Sequence, residues 1–214
     1  MAATHSTHSI STRAATEADL EAMTSIYRHH VLHGTGTFEI EPPDLPEMRR
    51  RLQLVRTRGL PWLVVERDGA VAGYAYANWF REREAYRWTL EDSVYIDERQ
   101  RGLGLGSALM EHLLDACEAA GARQLLAVVG DSANKGSVAL HQRYGFAHCG
   151  VMPAVGWKFG RWLDVVLMQK ALGAGAGAAP APAPRAFCIS TTSSHLPNFH
   201  PTAGMTPQCA NPYR

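Results

Sequence analysis

Glycines 102, 104 and 106 stand between Arg101 and Ser107 in the run Ser93-Val-Tyr-Ile-Asp-Glu-Arg-Gln-Arg-Gly-Leu-Gly-Leu-Gly-Ser107, a composition suited to holding a phosphorylated ligand. Without Cβ atoms the backbone N–H groups of such a turn can approach phosphate oxygens, and a helix starting there aims its positive end at the same point. Arg99 and Arg101 add charge beside it. Spacing separates the possible ligands. A Walker A loop ends in Gly-Lys-Ser/Thr, whereas Gly106 is followed directly by Ser107, which argues against an ATP or GTP site of that kind. A dinucleotide fingerprint needs G-x-G-x-x-G and an acidic residue about 20 positions later. This chain has G-x-G-x-G, and the apolar run Leu125-Leu-Ala-Val-Val129 occupies the later region. What remains is Arg101-x-x-Gly104-x-Gly106.

Such a turn works only if a strand leads into it and a helix leads out. Residues 88–96 read as a long strand, and residues 105–120 as a helix with Leu105, Leu109, Leu113 and Cys117 on one stripe and Gly121 at its end. Upstream, residues 10–13 read as a short strand, and Thr16-Glu-Ala-Asp19 has the form of a capping box opening a helix through Leu20, Met23, Ile26 and Tyr27. A second helix is expected over residues 46–57. Strands at 62–66 and 71–76 flank Asp68-Gly69, a hairpin signal. Downstream come a buried strand at 125–129, a helix at 135–143, and strands at 146–155 and 162–170 joined by residues 156–160. The order β-α-α-β-β-β-α-β-α-β-β describes a mixed sheet with helices on its faces, an α/β architecture.

The chain of 214 residues, 46% hydrophobic, suits one well-buried domain, and a net charge of +1 gives no electrostatic reason to expect nucleic acid or an anionic membrane. No apolar run approaches the roughly 18 residues of a membrane span. Residues 1–9 read as a flexible arm without the apolar core of a secretory signal, which favours the cytoplasm. Residues 172–214, rich in Ala, Gly and Pro and then Ser and Thr, read as a disordered tail after a domain over 10–171. Cys117, Cys149, Cys188 and Cys209 form no paired framework and read as free thiols. His29 and His33 share a helix face, but no further cluster completes a metal site, and none is expected.

The Arg101-x-x-Gly104-x-Gly106 turn, in this element order, resembles the acetyl-CoA loop of the GNAT superfamily of N-acetyltransferases. The segment Trp88-Thr-Leu-Glu91-Asp92-Ser93-Val-Tyr95 with Tyr86 is similar to the phosphinothricin and methionine-sulfone acetyltransferase branch, whose motif runs roughly Tyr/Phe-x-x-Thr-x-Glu-x-Ser-Val-Tyr. Residues 10–170 carry the resemblance. It implies a mostly antiparallel central sheet with a splayed parallel pair and helices on both faces, acetyl-CoA as co-substrate without a metal, a small amino-acid-like amine as acceptor, and a homodimer.

Residue by residue, the resemblance makes Glu91 the general base, with Asp92 as runner-up on the opposite face of the strand. His141, four residues before Gly145-Phe146, takes the place of the acid that protonates the CoA sulfur, and Tyr144 remains an alternative. Val94, Tyr95 and Ile96 offer backbone to pantetheine, while Arg101, Gly102, Leu103, Gly104, Leu105, Gly106 and Ser107 cradle the pyrophosphate. Asn134 and Ser137 match polar contacts to the cofactor and are equally suited to capping a helix. On the acceptor side stand Phe38, Arg81 as carboxylate clamp, Tyr86 and Arg87. Residues 156–164, Gly-Trp-Lys-Phe-Gly-Arg-Trp-Leu-Asp, resemble the branch's hairpin that closes over the acceptor, with Trp157 bulkier than is usual there. Another small amine, a protein N-terminus, or a non-catalytic CoA-binding module are the rival readings, and Glu91 together with His141 argues against the last.

Overall fold

The computed structural model describes residues 8–180. The expected arm therefore lies outside the described residues up to position 7, as does the tail beyond position 180. Along the chain run β1 (Ile10–Ala14), α1 (Leu20–His33), α2 (Leu45–Thr57), β2 (Trp62–Arg67), β3 (Ala70–Trp79), β4 (Thr89–Ile96), α3 (Leu105–Ala119), β5 (Gln124–Gly130), α4 (Lys135–Arg143), β6 (Ala147–Lys158) and β7 (Arg161–Ala171), in the order expected from the sequence. Local chemistry accounts for the punctuation. The Thr16 N–H donates to Asp19 Oδ2 at 2.7 Å, and the same carboxylate takes both arms of the Arg13 fork at 2.7 and 2.8 Å, tying β1 to the start of α1. Asp68 and Gly69 hold φ of 53° and 80°, the left-handed pair of a two-residue hairpin between β2 and β3. Phe159 and Gly160, at 53° and 71°, repeat that turn between β6 and β7, so these strands run further into residues 156–160 than expected.

The strands form one sheet ordered β1-β2-β3-β4-β5-β7-β6, antiparallel throughout except for β4 and β5. Side-chain alternation along β4 places helices on both faces. Tyr95 packs on Tyr27 and His30 of α1, whereas Asp92 faces α3 and α4, bonding His141 and acting on Cys117. Leu105, Leu109, Met110, Leu113 and Cys117 of α3 are all buried in the core. The parallel pairing is short: it covers Thr89↔Gln124 to Asp92↔Ala127 and stops. Beyond that point β4 stays with β3 as far as Ile96↔Gly73, and β5 stays with β7 as far as Gly130↔Val165. The sheet therefore opens between the last residues of β4 and β5.

At the other end of the chain, residues just past β7 stay tied to the core. Leu172 is buried in the core, and Arg123 donates to the Gly175 carbonyl at 3.1 Å and the Ala178 carbonyl at 2.9 Å. One apolar side chain and one arginine fork anchor a stretch whose composition alone reads as tail. Among the described residues, no helix is long and apolar enough to cross a membrane.

Candidate active site

The opened edges of β4 and β5, the turn before α3, the first half of α4 and the loop after α1 enclose a cavity of about 1310 Å³. At one end lies the glycine turn. Gly102 and Gly104 sit at φ 75° and 82°, and open space lies where a Cβ would project. The N–H groups of Ser107 and Ala108 bond the Gly104 carbonyl, which leaves those of Leu105 and Gly106 at the head of α3 without an intrahelical partner. Such a cradle fits a pyrophosphate. Gly106 serves differently: a Cβ there would press to 3.3 Å on Leu140, so its bareness lets α4 pack against α3. Arg101 is on the cavity wall, bonded to Glu98 at 2.8 Å. Leu105 is buried beneath the turn, and exposed Leu103 does not line the cavity. Arg143, not anticipated from the sequence, also faces the cavity and donates to Ser107 Oγ at 3.3 Å.

Val94, Tyr95 and Ile96 line the opened edge, with the Ile96 carbonyl accepting from His30 Nε2 at 2.9 Å. Asn134 and Ser137 reach the wall as well. Asn134 caps α4, accepting the Ser137 N–H at 3.3 Å, so the capping role left open in the sequence is present.

Glu91 stands half-buried on the α1 face of β4, lining the cavity. Burial pushes its carboxyl pKa up, Asp92 adds to the rise, and Arg81 opposes it. Asp92 is buried on the other face, its Oδ2 at 2.9 Å from His141 Nε2, while His141 Nδ1 lies 2.7 Å from the Ser137 carbonyl. That carbonyl can only accept, so Nδ1 carries a proton. Burial depresses the His141 pKa, but the Asp92 hydrogen bond and charge and the Ser137 carbonyl outweigh it, and the net shift is upward. Tyr144 donates its hydroxyl to the Ser107 carbonyl at 2.8 Å and is not on the cavity wall. Sequence reasoning placed Asp92 on the far face and did not foresee its partner there.

Residues 34–38 build another wall of the cavity, lying across the end of β5 and against β6. Buried Lys158 donates to the carbonyls of Gly34 at 2.9 Å and Thr37 at 2.7 Å, and burial lowers its pKa against the pull of Glu39. Gly130 and Gly156 give the loop room: a Cβ on Gly130 would come within 2.3 Å of the Thr35 carbonyl, and one on Gly156 within 2.2 Å of the Phe38 ring. Asp164 accepts from Ala154 N at 3.0 Å and Ser132 Oγ at 2.9 Å, holding the bulge in β6. Gly156, Lys158, Gly160 and Asp164 of the recognised hairpin thus each have a physical task, while Trp157 and Trp162 point outward, 57% and 60% exposed. Phe38 is on the cavity wall. Arg81, Tyr86 and Arg87 are not: Arg81 lies over the Phe80 ring at 4.2 Å, Tyr86 meets Phe80 edge-on, and Arg87 stacks on Trp88 at 3.8 Å beside Glu84. Among the described residues, no group of three metal-ligating side chains occurs.

Residues 23–146 match the model of the acetyltransferase (GNAT) family, more than half of the chain. The protein belongs to this family. It is 53% identical over 162 residues to a phosphinothricin N-acetyltransferase of Alcaligenes faecalis, covering 76% of this chain and 82% of that one. To an L-methionine sulfoximine/L-methionine sulfone acetyltransferase of Salmonella typhimurium it is 38% identical, covering 75% and 93%. Among solved structures, a GNAT superfamily phosphinothricin acetyltransferase from Sinorhizobium meliloti in complex with AcCoA superposes with a TM-score of 0.78 at 45% identity, over 80% of this chain and 92% of that one.

Proposed function

We propose that the protein transfers the acetyl group of acetyl-CoA directly to the primary amine of a small amino-acid-like substrate of the phosphinothricin, methionine sulfone or methionine sulfoximine type. One observation carries the reading: a single cavity is lined by a phosphate-sized cradle and, where β4 and β5 part, by a carboxylate with raised pKa on one face of β4 and a histidine paired to aspartate on the other. The cradle at 102–107 holds the pyrophosphate, and the opened edge of β4 offers backbone groups to the pantetheine arm. Glu91 takes a proton from the substrate ammonium, a backbone N–H near Val94 polarises the thioester carbonyl, and His141 supplies the proton that the departing sulfur needs. Arg81 rests on the Phe80 ring outside the cavity wall, close enough for its charge to act on Glu91, and would swing from that ring to clamp the acceptor's carboxylate.

A homodimer accompanies this reading, supported by the exposed apolar side chains Val151, Met152, Val155, Trp157 and Trp162 on the β6–β7 hairpin, of which the two tryptophans touch edge-on. Sedimentation as a monomer at micromolar concentration would refute it. A cytoplasmic location accompanies the reading too, supported by the burial of the Cys117 thiol in the core away from any described cysteine, and disulfide-bonded protein recovered from the native host would count against it. Thiol release from acetyl-CoA, assayed against a panel containing phosphinothricin, methionine sulfone and other amino acids, tests the function. Acetylation of the first two is expected. Acetyl-CoA binding with no amine stimulating release would overturn the enzymatic reading.

A further inference from the structure

Asp92 and His141 come from strands of sequence 49 residues apart, meet at 2.9 Å, and are both buried, yet both line the cavity. Neither ring nitrogen of His141 is left to choose its own state. Nδ1 must donate to the Ser137 carbonyl, and Nε2 faces a carboxylate oxygen. Among the described residues Asp92 Oδ1 has no hydrogen-bond partner, so the buried carboxylate directs its polar capacity at this one contact. Its place is also particular: Asp92 is the last residue of β4 that pairs with β5, at the apex of the opening. Phe146 closes the other side of the imidazole edge-on at 4.9 Å.

We propose that Asp92 is a positioning residue that fixes the His141 ring and holds it as an imidazolium, charging it with the proton the leaving sulfur receives. The inference rests on the acetyl-transfer reading above. As the C–N bond forms and the C–S bond breaks, the electron pair goes to sulfur, and the proton shared between His141 Nε2 and Asp92 passes to it. Glu91 carries off the first proton of the ammonium to solvent, and the second, shed by the acylated nitrogen, restores the imidazolium, so one proton is released per turnover. Among the described residues the Cys117 thiol of α3 faces the pair, and burial together with the Asp92 charge pushes its pKa up, keeping it neutral; Glu91, next along β4 but on the opposite face, feels Asp92 through charge alone.

The test compares the native enzyme with Asp92→Asn, whose amide oxygen still accepts from Nε2 but carries no charge. His141 ring signals, assigned through their loss in His141→Gln, are followed by NMR against pH, and kcat is followed over the same range. In the native protein His141 should titrate above the ordinary value of about 6.5. In Asp92→Asn the titration and the alkaline limb of kcat should move down together by at least one pH unit, a loss of about tenfold on the alkaline side, with acetyl-CoA affinity unchanged by calorimetry. An unmoved alkaline limb in a variant that still binds acetyl-CoA overturns the proposal. If Asp92→Asn does not fold, native His141 titrating at or below its ordinary value overturns it alone. The NMR titration requires no turnover, so a failure to acetylate the proposed amines is distinguishable from a failure of the pair.

Discussion

Substituting Gly156 by alanine isolates how the acceptor loop is seated. The backbone of Gly156 lies outside the left-handed region, so alanine adopts it freely, and the effect is one of space. Its Cβ would stand 2.2, 2.4 and 2.9 Å from three carbons of the Phe38 ring. Carbon atoms rest at about 3.5 Å or more, so the ring must withdraw by about 1.3 Å. Overpacking of this kind costs about 1–3 kcal/mol, which in a domain of this size lowers the melting temperature by about 2–4 °C per kcal/mol. The functional loss should be larger, because Phe38 lines the cavity and a displacement of about 1 Å at a reacting centre can cost on the order of 100-fold. Steady-state kinetics with each substrate varied should show kcat/KM for the amine falling about 10- to 100-fold while KM for acetyl-CoA holds, since the cradle lies at the other end. Adding Phe38→Leu should recover part of the stability loss, giving a non-additive cycle. Native acceptor kinetics in Gly156→Ala, or strictly additive losses in the pair, would refute the argument.

Three further outcomes follow from the site. Glu91→Gln should lower kcat by about 10²- to 10⁴-fold and leave acetyl-CoA binding intact by calorimetry; equal losses in both would remove Glu91 as the base. The base acts ionised and its pKa is raised, so native activity should fall on acidification through a value above the ordinary glutamate range of about 4.3, a limb that the kcat/KM profile reads directly. Gly104→Ala meets no steric neighbour but must adopt φ 82°, at a cost of about 1–2 kcal/mol. KM for acetyl-CoA should rise about 5- to 30-fold with KM for the amine unchanged, and the reverse pattern would contradict the cradle.

What was legible in the sequence was what neighbours in the chain decide. The capping box at Thr16, the Asp68-Gly69 turn, the stripe on α3 and the glycine turn all depend on residues a few positions apart, and they stand where expected. Motif resemblance added Glu91, His141 and Phe38, which the structure gathers into one cavity. It also named Arg81, Tyr86 and Arg87, which pack on their own neighbours Phe80, Glu84 and Trp88 instead of lining that cavity. Residues 175 and 178 also escaped a reading by composition, because the Arg123 side chain reaches their carbonyls from 52 and 55 residues away.

The sequence by itself determined the order of elements, the phosphate-type turn and the residue types fit for proton transfer. Only the tertiary structure decided which of them meet. The parting of β4 from β5 after Asp92 depends on how far two strands stay in register, a property of neither strand alone. Lys158 finds its two carbonyls 124 and 121 residues back along the chain, and Asp92 finds His141 on another element. Strand alternation announces the face to which a side chain points, but the partner waiting there is set by the packing of helices and strands that no local pattern encodes.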